Sequence, residues 1–202
     1  MVTQPAARAE ATAVSAPRST SLHRVLGTLG MLGSPFLFLS FAVNGFSQGD
    51  SNKLGAALGL LFVIGWFSSV RGLQVLGAAG KGLAGKILLG IDLVGVVLAG
   101  LFQVYEFAAP GSDSILYHIT DIAWPLSMVF LLISGILVAR AGVFQGWLRF
   151  TPVAAALWLP LGIAEMGILG LTAGQALDGV HTMVGWFLIG YAVRQGGRLT
   201  HR

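Results

Sequence analysis

Six charge-poor stretches, each about long enough to cross a bilayer, constrain the fold of this chain more than any other feature. A membrane-spanning helix needs about 20 mostly apolar residues. The predicted spans are residues 24–44, 54–71, 87–107, 116–139, 151–172 and 178–193. Lipid satisfies no backbone hydrogen bonds, so only helices and closed barrels cross a membrane. Because the apolar stretches lack the two-residue alternation of barrel strands, the sequence predicts an all-α membrane protein, a compact bundle of six transmembrane helices.

The remaining residues leave room for short loops and two tails, and for no added soluble domain. Residues 1–22 are rich in Ala, Ser, Thr and Pro and lack apolar periodicity, which predicts a disordered cytoplasmic tail. Residues 23–194 are the predicted transmembrane domain, and residues 195–202 a short basic tail. The predicted outer loops are 45–53, 108–115 and 173–177, and the inner loops are 72–86 and 140–150.

Basic residues fall almost entirely on one side of the predicted bundle. When the six spans alternate in direction, Lys53 is the single basic residue on the outer side. The inner side holds Arg8, Arg18, Arg24, Arg71, Lys81, Lys86, Arg140, Arg149, Arg194, Arg198 and Arg202. This positive-inside bias predicts a multi-pass protein of the inner (plasma) membrane with both termini in the cytoplasm. We expect the bilayer and its anionic headgroups as partners, and no nucleic acid, because no basic patch is interleaved with aromatic residues.

Polar residues inside the third span form one stripe. Asp92, Gln103 and Glu106 are separated by offsets of 11 and 14 residues, which return Gln103 and Glu106 to within about 40° of Asp92 on a helix. A charged group in mid-bilayer is costly, so such residues face the bundle interior or a water-filled cavity. Asp92 lies nearer the inner side and Glu106 at the outer end.

The outer ends of three other spans carry histidines and further acids. In the fourth span, His118 and Asp121 share a face, and Pro125 leaves the carbonyl of Asp121 without its helical donor. The sixth span opens with Asp178 and His181, again three residues apart, and Asp178 is also a candidate N-cap. The fifth span places Glu165 on one face with its neighbours at seven-residue spacing, which are Thr151, Trp158 and Thr172.

These residues predict an outward-facing polar cavity at one depth of the bundle. Its candidate members are Asp92, Gln103, Glu106, His118, Asp121, Glu165, Asp178 and His181. Two imidazoles with carboxylates suit a divalent metal such as zinc, for which the candidate ligands are His118, Asp121, Glu165 and His181. They also suit a proton relay, since histidine titrates near neutral pH. A haem between the two histidines is disfavoured because the neighbouring carboxylates make its slot polar.

Aromatic and small residues predict how the bundle packs. Trp124 and Trp158 are expected in its depth, whereas an inner-boundary position is expected for Trp66, Trp147, Trp186 and Tyr191. Small residues recur in the spans, as at Gly27, Gly30 and Gly33. Such faces let membrane helices approach closely, which fits a compact monomeric bundle better than a homo-oligomer interface.

Three classes of function fit this pattern. The first is a small transporter or proton-coupled permeation protein with a path along Asp92, Gln103 and Glu106. The second is a membrane-embedded, metal-dependent hydrolase acting on a lipid-like substrate. The third is a non-catalytic accessory or assembly subunit whose polar residues only specify packing. Asp92 discriminates between the first two: a side chain turned into the bundle favours transport, and one turned toward Lys86 favours the enzyme.

Overall fold

The computed structural model of the chain describes residues 22–46 and 52–196, which fold into helices joined by short turns. Most residues of the two predicted tails, and residues 47–51 of the first predicted outer loop, lie outside the described part. The elements are α1 (Leu22–Gly33), α2 (Pro35–Val43), α3 (Lys53–Val75), α4 (Leu83–Ala108), α5 (Ile115–Ala141), a 3₁₀ helix (Gly146–Phe150), α6 (Thr151–Ala156), α7 (Trp158–Leu169) and α8 (Leu171–Gln195).

These elements confirm the predicted bundle of membrane-spanning helices. Five stretches are long and apolar enough to cross a bilayer: α1 with α2, then α3, α4, α5 and α8. A sixth span results if the 3₁₀ helix and α6 are joined to α7, although this pair is bent by 58° at Leu157.

The predicted outer loop 173–177 is wrong, because α8 already begins at Leu171. Gly170, with φ of 80°, reverses the chain without a loop.

Neighbouring spans pack around a closed ring. In chain order, α1 contacts α3, α3 contacts α4, α4 contacts α5, and α5 contacts α6. Both α6 and α7 contact α8, which packs back on α1 and closes the ring.

The two ends of the bundle differ in charge. We call the end where α1, α4 and α6 begin the basic end. It carries the described residues Arg24, Arg71, Lys81, Lys86, Arg140, Arg149 and Arg194. The opposite end, where α4 and α7 end and α5 and α8 begin, is called the acidic end.

An aromatic cluster fills the centre of the ring. Neighbouring rings among Phe62, Trp66, Trp124 and Trp186 have centroids 5.4–6.1 Å apart, and the ring of Trp158 lies 6.4 Å from that of Trp124. Trp66 is 0% and Trp186 1% exposed. The predicted boundary position of these two residues is therefore wrong. Both belong to the core, where stacked and edge-on rings add to the energy of burial.

Glycines let α1 lie directly against α3 and α8. A Cβ atom on Gly190 would lie 2.6 Å from the backbone nitrogen of Met31 and 2.8 Å from the carbonyl oxygen of Gly27. A Cβ on Gly33 would lie 2.5 Å from the Cα of Gly65. Backbones at this distance gain van der Waals contact that larger side chains would prevent. The small-residue face of the first span is thus used within the chain.

Candidate functional site

The polar stripe of α4 faces the inside of the bundle. Asp92 is 0% exposed, Glu106 8% and Gln103 9%, and all three lie on the buried face of the helix. Each of the three side chains meets a different environment. The stripe runs from Asp92, nine residues after the start of α4 at Leu83, to the last turn of the helix at the acidic end.

Asp92 is buried without a partner. It lies about 13 Å along α4 from Leu83, and neither carboxylate oxygen has a hydrogen-bond partner among the described residues. The side chain does not turn to Lys86, which is exposed nearer the basic end. Because a Cβ on Gly95 would touch Ser127, the antiparallel register puts Asp92 level with the stretch of α5 between Ser127 and Ser134. The Ser134 hydroxyl is also buried and has no partner in that part of the chain.

Gln103 connects the stripe to the lipid-facing surface. Its amide packs on Gly59 of α3, where a Cβ would lie 2.4 Å from the Gln103 Oε1 atom. The same side chain lines a groove of about 380 Å³ between α3 and α4. The other walls of the groove are apolar: Ala56, Ala57, Leu60, Leu61, Val104 and Phe107.

Glu106 ends the stripe in a polar cluster at the acidic end. The Tyr117 hydroxyl donates a hydrogen bond to Glu106 Oε1. The Tyr117 ring packs on Phe102 at 5.2 Å and lies 5.7 Å from the imidazole of His118. Asp121 lies within electrostatic range of both Glu106 and His118. We call Glu106, Tyr117, His118 and Asp121 the entrance cluster.

The members of the entrance cluster differ in burial. Glu106 is buried and Tyr117 half-buried, whereas His118 and Asp121 are exposed on α5. Sequence reasoning gave Tyr117 no role. The one available signal was its place next to His118 at the start of the fourth span. The cluster therefore reaches from the buried stripe to the surface of the bundle.

A second polar group lies between α7 and α8. Asp178 is 3% exposed, and its carboxylate rests on Gly162, where a Cβ would lie 2.5 Å from the Asp178 Oδ1 atom. The indole of Trp158 and the carboxylate of Glu165 are its polar neighbours. The predicted N-cap role of Asp178 is wrong, because α8 begins earlier and Gly170 occupies its N-cap. The predicted face of Thr151, Trp158, Glu165 and Thr172 is likewise divided among α6, α7 and α8.

His181 supports the broken span. Its Nε2 atom lies 2.9 Å from the carbonyl oxygen of Ala154 in α6. Since a carbonyl only accepts, the imidazole N–H donates this hydrogen bond. Ala154 lies one turn before the break at Leu157, where the regular hydrogen bonding of the helix is interrupted. The imidazole therefore ties α8 to the backbone just before the bend.

The predicted metal ligands are not assembled. Among the residues that the structure describes, no three His, Asp or Glu side chains come close enough together to hold a metal ion. His118 and Asp121 lie on the surface of α5, Glu165 neighbours Asp178, and the imidazole of His181 is held by Ala154. The physical reason is the topology, which distributes these residues over α5, α7 and α8 instead of turning them toward one point.

The eight predicted cavity residues form two groups in their observed contacts. Asp92 and Gln103 lie on the buried face that leads to the entrance cluster, whereas Glu165, Asp178 and His181 belong to α7 and α8. An aromatic pair links the groups. Trp124 donates its indole N–H to the carbonyl oxygen of Ala99 in α4 at 3.3 Å and packs on Trp158 of α7. One cavity lined by all eight side chains stays a prediction.

Comparisons with protein-family models, with curated proteins and with solved structures gave no match to this chain. The geometry of the bundle and its polar groups is therefore the basis for any functional conclusion.

Proposed function

We propose that this chain is a small membrane transport protein that moves protons or another small cation along the polar stripe of α4. Asp92 is the observation that carries the proposal, because its carboxylate is fully buried and has no described partner. Leaving a polar group buried and unpaired costs about 1–3 kcal/mol, and more when it is charged. An intramembrane carboxylate kept at such a cost marks an ion pathway or proton relay by default.

The entrance cluster extends the proposed path to the membrane surface. A proton or cation arriving at the acidic end first meets the exposed side chains of His118 and Asp121. Tyr117 and Glu106 come next and are already hydrogen-bonded to each other. Gln103 follows one turn further along the buried face of α4, and Asp92 lies three turns beyond it.

The broken span supports the same function. Transporters commonly place their binding sites beside discontinuous helices, where interrupted backbone can meet a polar ligand. In this bundle the break between α6 and α7 lies at Leu157, and Trp158 immediately follows it. Trp158 neighbours Asp178 and packs on Trp124, so a change in the bend would alter the packing around the stripe. We propose that the bend is the moving part.

The two other functions have less support. A metal-dependent hydrolase needs a ligand set that the described residues do not assemble. An accessory subunit would use its polar residues for packing, which fits Asp178 on Gly162 but gives Asp92 no purpose.

For orientation, we propose that the basic end faces the cytoplasm and that the protein lies in the plasma (inner) membrane. Seven described basic residues at the basic end, against Lys53 at the acidic end, support this direction. The entrance cluster then opens to the outside.

The proposal is tested by ion flux into liposomes that contain the purified full-length chain. A pH-sensitive dye inside the vesicles reports proton entry after a potassium diffusion potential is imposed, and a sodium-sensitive dye is used in a parallel arm. We expect flux above that of protein-free liposomes, and Asp92→Asn, which keeps the size of the side chain, to reduce it at least tenfold. Removing one transition-state interaction of about 1.4 kcal/mol already has this effect.

Asp113→Asn is the matched control, because Asp113 is an exposed acid just after α4 and outside the stripe. Its flux is expected to equal that of the parent chain. If Asp92→Asn conducts as fast as the parent, or neither dye reports flux above protein-free liposomes, the stripe has a packing role and the transport proposal is wrong.

A further inference from the structure

A polar pocket lies at the basic end, away from the stripe and the entrance cluster. It has a volume of about 400 Å³ and is formed where α1 packs along the last turns of α8. Its lining residues are Arg24, Met31, Tyr191, Arg194 and Gln195. Nothing in the proposed transport path uses these side chains.

The close packing of α1 on α8 brings the two arginines to one pocket. The backbone of Arg194 lies on Gly27, where a Cβ would be 2.4 Å from the Arg194 nitrogen and 2.7 Å from its Cα. Arg24 is three residues before Gly27 and thus on the same face of α1. Two arginines therefore line one pocket, although like charges at short range repel each other.

Among the described residues, no carboxylate lies at this end to compensate the two charges. The acids of the spans are Asp92 in the interior and Glu106, Asp121, Glu165 and Asp178 further toward the acidic end. A pocket with two cations and no described anion has a positive potential, and a bound anion would relieve the repulsion.

The donor set of the pocket fits a phosphate group. Guanidinium groups present planar forks of N–H donors that match phosphate oxygens, and they bind them more strongly than neutral donors do. Tyr191 and Gln195 also line the pocket, and a phenol hydroxyl and a side-chain amide are further hydrogen-bond donors. Met31 adds an apolar side, which suits the carbon atoms next to a phosphodiester.

We infer that this pocket binds a phosphate-bearing anion, and that its place at the end of two spanning helices favours the headgroup of an anionic phospholipid. Basic pockets between membrane helices on the cytoplasmic side are typical sites for such headgroups. The inference is independent of the proposed transport function, because it concerns other residues at the opposite end of the bundle.

The test uses the purified full-length chain in mild detergent, titrated with phosphatidylglycerol, with phosphatidylcholine, or with inorganic phosphate. Native mass spectrometry counts the bound lipid. We expect one tightly held phosphatidylglycerol and no retained phosphatidylcholine. Arg24→Ala and Arg194→Ala should each weaken phosphatidylglycerol binding about tenfold, which corresponds to about 1.4 kcal/mol.

Arg140→Ala is the matched control, because Arg140 is an exposed arginine at the basic end, in the last turn of α5 and outside the pocket. It should change binding less than twofold. Arg24→Lys and Arg194→Lys keep the charge but lose the fork, so they should weaken binding less than the alanine variants. Thermal unfolding of every variant shows that it is folded before binding is measured.

The competition arm identifies the source of the anion. If millimolar inorganic phosphate displaces phosphatidylglycerol and binds with the same dependence on Arg24 and Arg194, the site holds and its ligand is a soluble phosphate. If Arg140→Ala weakens binding as much as Arg24→Ala, binding is diffuse attraction to a basic surface and the pocket inference is overturned. Absence of any bound phosphatidylglycerol or phosphate also overturns it.

Discussion

At the scale of single residues, the three polar side chains of α4 show how differently a membrane protein can treat buried polarity. Glu106 accepts a hydrogen bond from Tyr117, and Gln103 reaches a groove on the lipid-facing surface. Asp92 has neither solution within the described residues. Glu106 can therefore contribute to the stability of the fold, whereas Asp92 opposes it. A residue that lowers stability and is nevertheless present is best explained by function.

We predict that Asp92→Leu raises the stability of the protein. Leucine has nearly the same shape, and replacing an unpaired buried polar group by an apolar one removes its desolvation cost, about 1–3 kcal/mol. Thermal unfolding in detergent, followed by tryptophan fluorescence, should therefore show a higher midpoint for this variant. The same variant is expected to lose ion flux.

Glu106→Leu gives the contrast for this measurement. Tyr117 would lose the acceptor of its hydroxyl, so the unfolding midpoint should fall instead of rise. A lower midpoint for Asp92→Leu would mean that the carboxylate has a stabilising partner after all, and the argument for its functional role would fail.

At the scale of helices, the bend between α6 and α7 is the feature that departs most from a simple bundle. Pro152 stands at the start of α6, where a proline is compatible with the helix. Pro160 follows the break and cannot donate a backbone hydrogen bond to Ala156. The hydrogen bond from His181 to Ala154 connects α8 to this region. Sequence and tertiary contact thus act together on one bend of 58°.

We predict that His181→Ala destabilises the protein by about 1–3 kcal/mol, because the carbonyl of Ala154 loses its side-chain donor. Chemical unfolding monitored by tryptophan fluorescence measures this loss. His118→Ala is the matched control, since this imidazole is exposed on α5, and its effect should stay within about 0.5 kcal/mol. Equal losses for both histidines would contradict the assigned role of His181.

The contact of α1 with α8 leads to a second prediction for helices. Gly190→Ala should destabilise the protein by about 1–3 kcal/mol, because its Cβ would meet backbone atoms of α1 that cannot move separately from their helix. Gly90→Ala in α4 is the control, since nothing lies within 4 Å of its Cβ position. Unfolding midpoints of the two variants should differ clearly, and similar midpoints would mean that α1 and α8 do not need this close approach.

The helices themselves were largely predictable from the sequence, whereas their contacts were not. Apolar length alone predicts these five spans, because lipid leaves the backbone few alternatives. Spacing in α4 likewise places Asp92 and Glu106 on one face. The bend at Leu157 and the turn at Gly170 depend on local backbone geometry that hydropathy does not contain.

Convergence of side chains on different helices was the least predictable level. His118 and His181 have the same residue type and the same apparent depth in the sequence, yet one is exposed and the other is bonded to a backbone carbonyl. The packing of helices decides this difference through close contacts such as Asp178 on Gly162. Single-sequence periodicity gives the face of a helix but not the neighbour that it meets.

At the scale of the whole molecule, the bundle has two chemically different ends. The basic end carries a pocket with two arginines, and the acidic end carries the entrance cluster with its carboxylates. The two ends are joined by a core of tryptophans and by the buried stripe of α4. Because positively charged segments are retained on the cytoplasmic side of membranes, this asymmetry supports the proposed orientation.

Orientation can be measured directly because the natural chain contains no cysteine. Asp113→Cys places a thiol in the exposed turn between α4 and α5 at the acidic end, and Gln145→Cys places one in the exposed turn after α5 at the basic end. A membrane-impermeant maleimide should label residue 113 in intact cells and residue 145 only after permeabilisation. The cysteine-free parent controls for background labelling, and unfolding midpoints show that both variants are folded.

Labelling of residue 145 alone in intact cells would reverse the proposed orientation and place the entrance cluster in the cytoplasm. Labelling of both residues from the same side would contradict an odd number of crossings between them, and with it the assignment of α5 as a membrane span.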